Sequence, residues 1–389
     1  MLRRRSLQQS PNPTYRLHLL EDEAQLASWA DRWRALEATG VGSAGVFHSY
    51  DWLRPFFHMR KRRPCVLAVE DVKGLVLIAP FSLVCRGGLE ILEWLGEPLL
   101  AYGDLLVREG VDVAEALRSS LVLLRDRGKR FDVLHLRKVR RDAVIVPFLQ
   151  QLATAPWQGG APYADFDNFN SFEAFLGSRN KRSIKSYRRR RRRLEEEGEV
   201  HFKVHKAGPQ AQKLGREAIE LKIKWMKADG RVSRSLGSQE CMHALIDCLG
   251  NPHTHACVSG LYLNDRPIAA EIGFVKRRHY YSLIGSIDTG YEKFSPGNLQ
   301  ILETMRWCYE QGIHVFDFLP PVSEYKNSWS SAVIEVGEFC LGYTLPGRLY
   351  KSLYVQTFFP MLVQAHARTP SIARALSILG LARPNYKAD

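Results

Sequence analysis

Two acids in this chain stand where acids are costly. Glu271 interrupts the apolar run AAEIGF, and Asp317 sits between Phe316 and Phe318 in FDFL. A strand sends successive side chains to opposite faces, so each carboxyl points either to water or into the protein. Burial disfavours the charged form and raises the pKa, which would make either acid a general base working near neutrality. The plainer alternatives are an outward-facing strand residue for Glu271 and a buried acid bonded to backbone for Asp317. Ser295-Pro296-Gly297-Asn298 precedes an amphipathic run; the free amides of a helix start favour an anion such as a phosphate, although an ordinary helix cap would read the same way. Along HYYSLIGSI, His279 and Tyr281 alternate, with Asp288 at the far end, and all three are candidate substrate contacts.

Other chemistry is less well supported. His253-x-His255-x-Cys257 would put three ligand types on one face of a strand, but no carboxylate or second cysteine pair lies near, and no metal is expected. Gly40-x-Gly42-x-x-Gly45 matches a dinucleotide fingerprint yet follows a tryptophan-rich helix where a strand is required, so it reads as a loop. A nucleophile elbow, a Walker A loop and an HExxH helix are all missing, which leaves hydrolase and NTPase readings without support.

The elements that must position these residues run from Gly260 to Pro321. LYL and IAAEIGF flank a turn at Asn264-Asp265-Arg266-Pro267, and HYYSLIGSI follows the basic turn Lys276 to Arg278. A helix with Leu299, Leu302, Met305 and Trp307 on its inner face then runs from the Ser295 loop to Gly312, and HVFDFL closes the unit as a buried strand. Antiparallel strands, a helix with a glycine at its start and one closing strand form a ligand cradle.

The order "RPIAA…GF", "Y…SPG-L…E-RW-YE-G", "FDFL" and "YKNSW" resembles the GNAT superfamily of acyl-CoA-dependent acyltransferases, most closely its FemAB-like and CelD-like acetyltransferase branch, over about residues 170–345. The resemblance implies an α/β (α+β) fold of tandem GNAT-like domains, each a mixed, mostly antiparallel sheet flanked by helices. It implies acyl-CoA, acetyl-CoA or longer, as co-substrate, bound by Ser295, Gly297, Asn298 and Ile284, with no metal. Tyr325-Lys326 falls where FemAB-like relatives carry a Tyr/Phe-Lys pair beside the acceptor cleft, so Tyr325 would protonate a thiolate and Lys326 would hold an anionic substrate group. Thioester aminolysis also needs a base, for which Glu271 and Asp317 are the candidates. The superfamily's pyrophosphate loop usually has two small residues, and here only the first glycine is kept.

The 389 residues, 45% of them hydrophobic, suit two domains. The expected division is a disordered basic stretch over 1–14, an N-terminal GNAT-like domain over 15–165 and a C-terminal acyltransferase domain over 166–346. A helical tail follows over 347–389. In the first domain a helix is expected from Glu21 to Ala38 with Leu26, Trp29, Trp33 and Leu36 inward, and APWQGGAP reads as a Pro/Gly-rich break before the second. Seven cysteines without a CxxC pair suit a reducing compartment. The N-terminus has positive charge without an apolar run, so a cytoplasmic protein, or one peripheral to the inner membrane, is expected.

Net charge is +14, and ten of the fifteen residues from Arg179 to Arg193 are Lys or Arg, within a basic helix expected over 179–197. That helix is either a solvated face or a surface for phosphate-bearing partners. The apolar, aromatic tail beyond Gly347 is either a packed helix or an interfacial anchor on an anionic membrane. The reading with most support is an acyl-CoA-dependent N-acyltransferase acting on an amine of a cell-envelope, polysaccharide or lipid precursor, a sphingoid base among them. Two others stand beside it: a FemAB-like aminoacyltransferase using aminoacyl-tRNA, favoured by the polybasic helix and the sparse glycine loop, and a nucleic-acid-binding protein on an inactive GNAT scaffold.

Overall fold

The computed structural model describes residues 15–353, apart from 127, 153–156, 180 and 231–232. The basic stretch 1–14 and the tail beyond 353 lie outside the described residues; of the expected tail, residues 347–353 are described, beginning within the short helix Leu345–Leu349.

Among the described residues thirteen strands form one sheet. They are β1 (Arg16–Leu20), β2 (Arg63–Asp71), β3 (Gly74–Arg86), β4 (Leu89–Trp94), β5 (Leu106–Val107), β6 (Val133–Arg140), β7 (Trp157–Asp165), β8 (Val200–Lys206), β9 (Ala256–Leu263), β10 (Arg266–Lys276), β11 (His279–Ile287), β12 (Val315–Asp317) and β13 (Ala332–Gly342). Their order is β1-β2-β3-β4-β6-β13-β7-β12-β11-β10-β9-β8, with β5 beside β3. Each half is a mostly antiparallel meander closed by a parallel pair, β4 with β6 and β11 with β12. The two halves share one sheet because their last strands are exchanged. β7 leaves the first half to pair with β12, while β13 returns from the second half to lie between β6 and β7.

This exchange revises the expected break at APWQGGAP. Trp157 to Asp165 is a strand, and Gly160 serves packing: a Cβ there would come within 2.5 Å of Val333 Cγ1 on β13. The helix expected from Glu21 to Ala38 is instead two helices, Glu23–Ser28 and Ala30–Thr39, meeting at Trp29. Leu26, Trp29, Trp33 and Leu36 are all buried, so the inward face survives the break.

β3 and β10 are largely apolar and buried along most of their length, as strands covered on both faces must be. In the second half one face of β9–β11 carries the long helix Pro209–Ala228, and the other carries the helix Pro296–Glu310. The latter begins with Pro at its first position, where the missing N–H costs nothing. It ends before Gly312, whose φ of +66° suits a residue without Cβ. One hydrophobic core runs from Leu17 through Trp52 and Leu245 to Tyr281 and Leu341, and so belongs to both halves. Among the described residues no helix is long and apolar enough to cross a membrane.

Candidate active site

β11 and β12 pair only at His279–Val315, Tyr280–Phe316 and Tyr281–Asp317, and then separate. The splay opens at Ser282, beside the start of the helix Pro296–Glu310. Glu271 lies next to it on β10 and is 2% exposed. Tyr280 Oη donates to Glu271 Oε1 at 2.8 Å, and Ser282 Oγ donates to Oε2 at 2.8 Å. The Tyr280 ring reaches the acid by crossing Gly273, where a Cβ would come within 2.2 Å of it. Burial pushes the Glu271 carboxyl up to about 7, against the downward pull of the two hydroxyl bonds. Ser259, which faces Glu271 on β9, joins a buried polar row with Thr304 and Gln300 of the overlying helix.

Tyr325, on the short helix Glu324–Trp329, is half exposed. Its phenol is pushed up to about 12 by desolvation and then by the charge of Glu271. Lys326 is buried, and its Nζ donates to the carbonyls of Leu319 at 2.8 Å and Pro321 at 3.0 Å. Burial brings its ammonium down to about 7, opposed by Asp317 and assisted by Lys222. An ammonium committed to two carbonyls pins the 319–321 loop, which differs from the expected anion-holding role.

Asp317 is 2% exposed and is gripped from both halves. Tyr102 Oη donates to both of its oxygens at 2.9 Å, the Leu319 amide donates at 2.8 Å, His279 Nε2 lies at 3.3 Å, and Arg140 lies at 3.9 Å. His279 also stacks on Tyr281 at 4.3 Å, and Tyr281 packs edge-on against Phe47 of the first half. The expected substrate contacts thus divide. His279 is partly open, Tyr281 is buried between the halves, and Asp288 is buried and paired with Arg266 at 2.6 Å outside the splay.

The cradle itself is more occupied than its sequence suggests. The Asn298 and Leu299 amides donate to the Ser295 carbonyl, and Pro296 has no amide hydrogen, so among the described residues the Gly297 amide is left over. Asn298 Oδ1 accepts from Tyr187 Oη at 3.2 Å and Trp329 Nε1 at 3.3 Å. Ile284 is buried in the core that both halves share. The basic helix Lys181–Glu195 lies over this end: Tyr187 stacks on Trp329 at 5.2 Å, Arg190 donates to Ser295 Oγ, and Arg191 pairs with Glu303. Its other side, with Glu173 and Leu176, lines an open groove of about 820 Å³ bearing Lys185, Arg188, Arg189 and Arg192. A pyrophosphate fits what is present: a free amide on a helix axis, a neighbouring guanidinium, and a glycine whose Cβ would come within 3.1 Å of Ile287.

The metal-like triplet is not assembled. His253 lies in a turn, His255 has a left-handed φ of 53°, and only Cys257 is on a strand.

Residues 180–327 match the family profile described as an acetyltransferase (GNAT) domain. The whole fold resembles that of FemX, with a TM-score of 0.58 and 14% identity over 83% of this chain and 98% of that one. It also resembles the C-terminal domain of a protein described as a lysylphosphatidylglycerol synthetase from Agrobacterium fabrum, with a TM-score of 0.52 and 12% identity over 85% and 96% of the two chains. L-PGS from Bacillus licheniformis is similar at a TM-score of 0.50 and 13% identity, over 83% and 95%. No curated protein matches the chain in sequence. The chain carries a GNAT-type acyltransferase domain. That domain spans residues 180–327, and the fold of the chain as a whole is like that of FemX.

Three contacts escaped the sequence. Tyr102 to Asp317 and Arg190 to Ser295 join residues more than 100 apart. Tyr280 to Glu271 had a local signal: glycine opposite an aromatic residue in adjacent strands.

Proposed function

We propose that the protein is an acyl-CoA-dependent N-acyltransferase acting on an amine of a cell-envelope, polysaccharide or lipid precursor. The observation that supports this most is Glu271, a buried carboxyl raised to about 7 at the point where β11 and β12 separate. An acid with that pKa is half ionised at neutral pH and can take a proton from the incoming ammonium, freeing the amine to attack, or from the tetrahedral adduct that the amine forms. Ser282 Oγ, half-buried at the splay and bonded to Glu271, is placed to pass that proton inward. Tyr325, still protonated at neutral pH, would supply the proton a departing thiolate needs. The Gly297 amide and Arg190 would hold the donor's pyrophosphate. Asp317 has the bonding of a structural acid, which leaves Glu271 as the better base.

In the first half the corresponding splay, between β4 and β6, is filled by residues 95–107, with Leu95, Leu99, Leu100, Tyr102 and Leu105 all buried. That burial supports donor binding in the second half. A second reading, with aminoacyl-tRNA as donor, is favoured by the arginine-lined groove beside the cradle. Calorimetry with CoA, a long-chain acyl-CoA and tRNA separates the two. Saturable CoA binding with weak, salt-sensitive tRNA binding is expected. Tight tRNA binding without CoA binding would overturn the proposal.

A further inference from the structure

The mouth of the first half's splay holds a cluster of charges that no step above uses. Glu93 is fully buried, and Glu97 is 2% exposed. Arg62 pairs with Glu93, Arg86 donates to both Glu93 oxygens at 2.8 Å, and Arg137 lies 3.5 Å from Glu93 and 3.4 Å from Glu97. Lys138 lies 3.6 Å from Glu97 and is bonded to the carbonyls of Pro98 and Leu100. Arg234, reaching in from the second half, feels Arg137, Arg86, Glu97 and Glu93 and, among the described residues, has no hydrogen-bond or ion-pair partner. Five cationic side chains thus face two carboxylates. Glu338 adds negative charge on Arg137 from further off, where it is engaged with His135, and the excess remains positive.

Polar atoms are also left over. Among the described residues, Arg137, nine-tenths buried, has a buried Nε without a partner, and Glu97 has a buried Oε1 without one. Buried Arg62 and Arg137 are matched in number by buried Glu93 and Glu97; the excess lies on Arg86, Lys138 and Arg234, each only partly covered, where an anion can reach them and form charge-assisted bonds. A carboxylate brings one charge, too little for this excess. A phosphoryl group brings nearly two, with several acceptor oxygens for the Arg forks. The unsatisfied Glu97 oxygen then suits a P–OH or a neighbouring hydroxyl donor.

We propose that Arg86, Arg137 and Arg234, backed by Arg62 and with Glu97 as acceptor, form a binding site for a phosphoryl group. Arg137 and Arg140 are three residues apart on β6, about 10 Å along the strand. Arg140 lies over the Tyr102 ring, which bonds Asp317 at the base of the second half's splay. On the acyl-transfer reading, the site would hold a phosphorylated acceptor with its amine directed at that splay. The site itself does not depend on that reading.

The test is direct binding to the full-length protein. Inorganic phosphate and pyrophosphate are titrated by calorimetry and by thermal melting, each against sodium chloride at matched ionic strength. Phosphate or pyrophosphate should raise the melting temperature where chloride does not. Arg234→Gln should weaken that binding at least about tenfold, the scale of a lost charged hydrogen bond. Without ligand the same variant should melt no earlier than the wild type, since it removes an unpaired cation. Equal protection by chloride, unchanged binding in Arg234→Gln, or early melting of the unliganded variant would each overturn the proposal. A combined Arg188→Gln, Arg189→Gln, Arg192→Gln protein locates the ion: loss of phosphate binding there would place it on the basic helix and also overturn the assignment. A phosphorylated amine that binds as phosphate does, and is then acylated, would join this site to the reaction. Binding of inorganic phosphate alone would leave the site as one for the free ion.

Discussion

A carboxyl held near pH 7 by burial works against the fold whenever it is ionised. Glu271 prefers its proton more in the folded protein than in the unfolded chain, so between about pH 4.5 and 7 the native state binds more protons and stability falls as pH rises. The loss is complete above pH 7 and amounts to about 3 kcal/mol. With Glu271 as the proposed base, catalysis has the opposite sign, since a base must be deprotonated and kcat/KM should climb through a pKa near 7. Glu271→Gln should therefore cut turnover by roughly 10²–10⁴ and leave acyl-CoA affinity nearly unchanged. Its stability relative to wild type should also rise by about 3 kcal/mol between pH 5 and pH 8 in urea titrations. A silent Glu271→Gln alongside a damaging Asp317→Asn would reverse the assignment of the two acids. Tyr102→Phe tests the structural role of Asp317: a loss of about 1–3 kcal/mol in stability is expected, with a far smaller effect on turnover than that of Glu271→Gln. The sequence marked both acids because each breaks an apolar run. It did not separate them, because what distinguishes them is their partners: Tyr280 arrives over Gly273, and Tyr102 comes from the other half of the chain.

At the scale of elements, the basic helix and the cradle helix act together. A run of six arginines reads as a solvated face when only the run is visible. Yet Ile184, Tyr187, Arg191 and Leu194 fall on one side at helical spacing, and that side packs on the cradle. Gly297→Asp sets a carboxylate against the helix N-terminus and, on the acyl-CoA proposal, against the donor's pyrophosphate. CoA binding should weaken by more than about 1 kcal/mol in a protein that still melts cooperatively. Arg190→Gln should weaken it as well, because the guanidinium stands at Ser295. A replacement that includes Arg190 therefore cannot leave the proposed donor site untouched. Arg188, Arg189 and Arg192, which line the groove, can be changed without it. Their joint replacement by Gln should spare CoA binding. Under the aminoacyl-tRNA reading it would weaken tRNA binding and flatten its salt dependence by about one phosphate contact per arginine, and under a membrane reading it would reduce flotation with anionic vesicles. The strands β9 to β11 and the cradle helix were legible because their apolar periods are local. β7 was not, since Gly159, Gly160 and Pro162 look like a break until β13 lies against them.

The exchange of β7 and β13 sets how the whole molecule holds together. β6 has only a two-residue parallel pairing with β4 on one side, and its long antiparallel partner, β13, comes from the far end of the chain. The core that packs Leu17 also packs Leu245, Tyr281 and Leu341, and Asp317 is bonded to Tyr102 across the halves. Tandem sequence thus becomes a single cooperative object, although nothing in the local pattern of either half announces a partner so distant. One calorimetric unfolding transition is expected. Two separated transitions would mean that the shared strands contribute little. A harder test divides the chain at the 153–156 connection. The fragment 1–152 keeps β1 to β6 but loses β13, so the edge of β6 and the core beneath it are open, and it should aggregate. The fragment 157–389 keeps β7 to β13 as a continuous set in which only the outer edge of β13 is newly unpaired, and should be the more soluble of the two. Produced together, they should recover one complex of native mass, with β13 again seated on β6. A soluble, monomeric 1–152 fragment that melts cooperatively near the temperature of the intact protein would show that the first half folds without its borrowed strand.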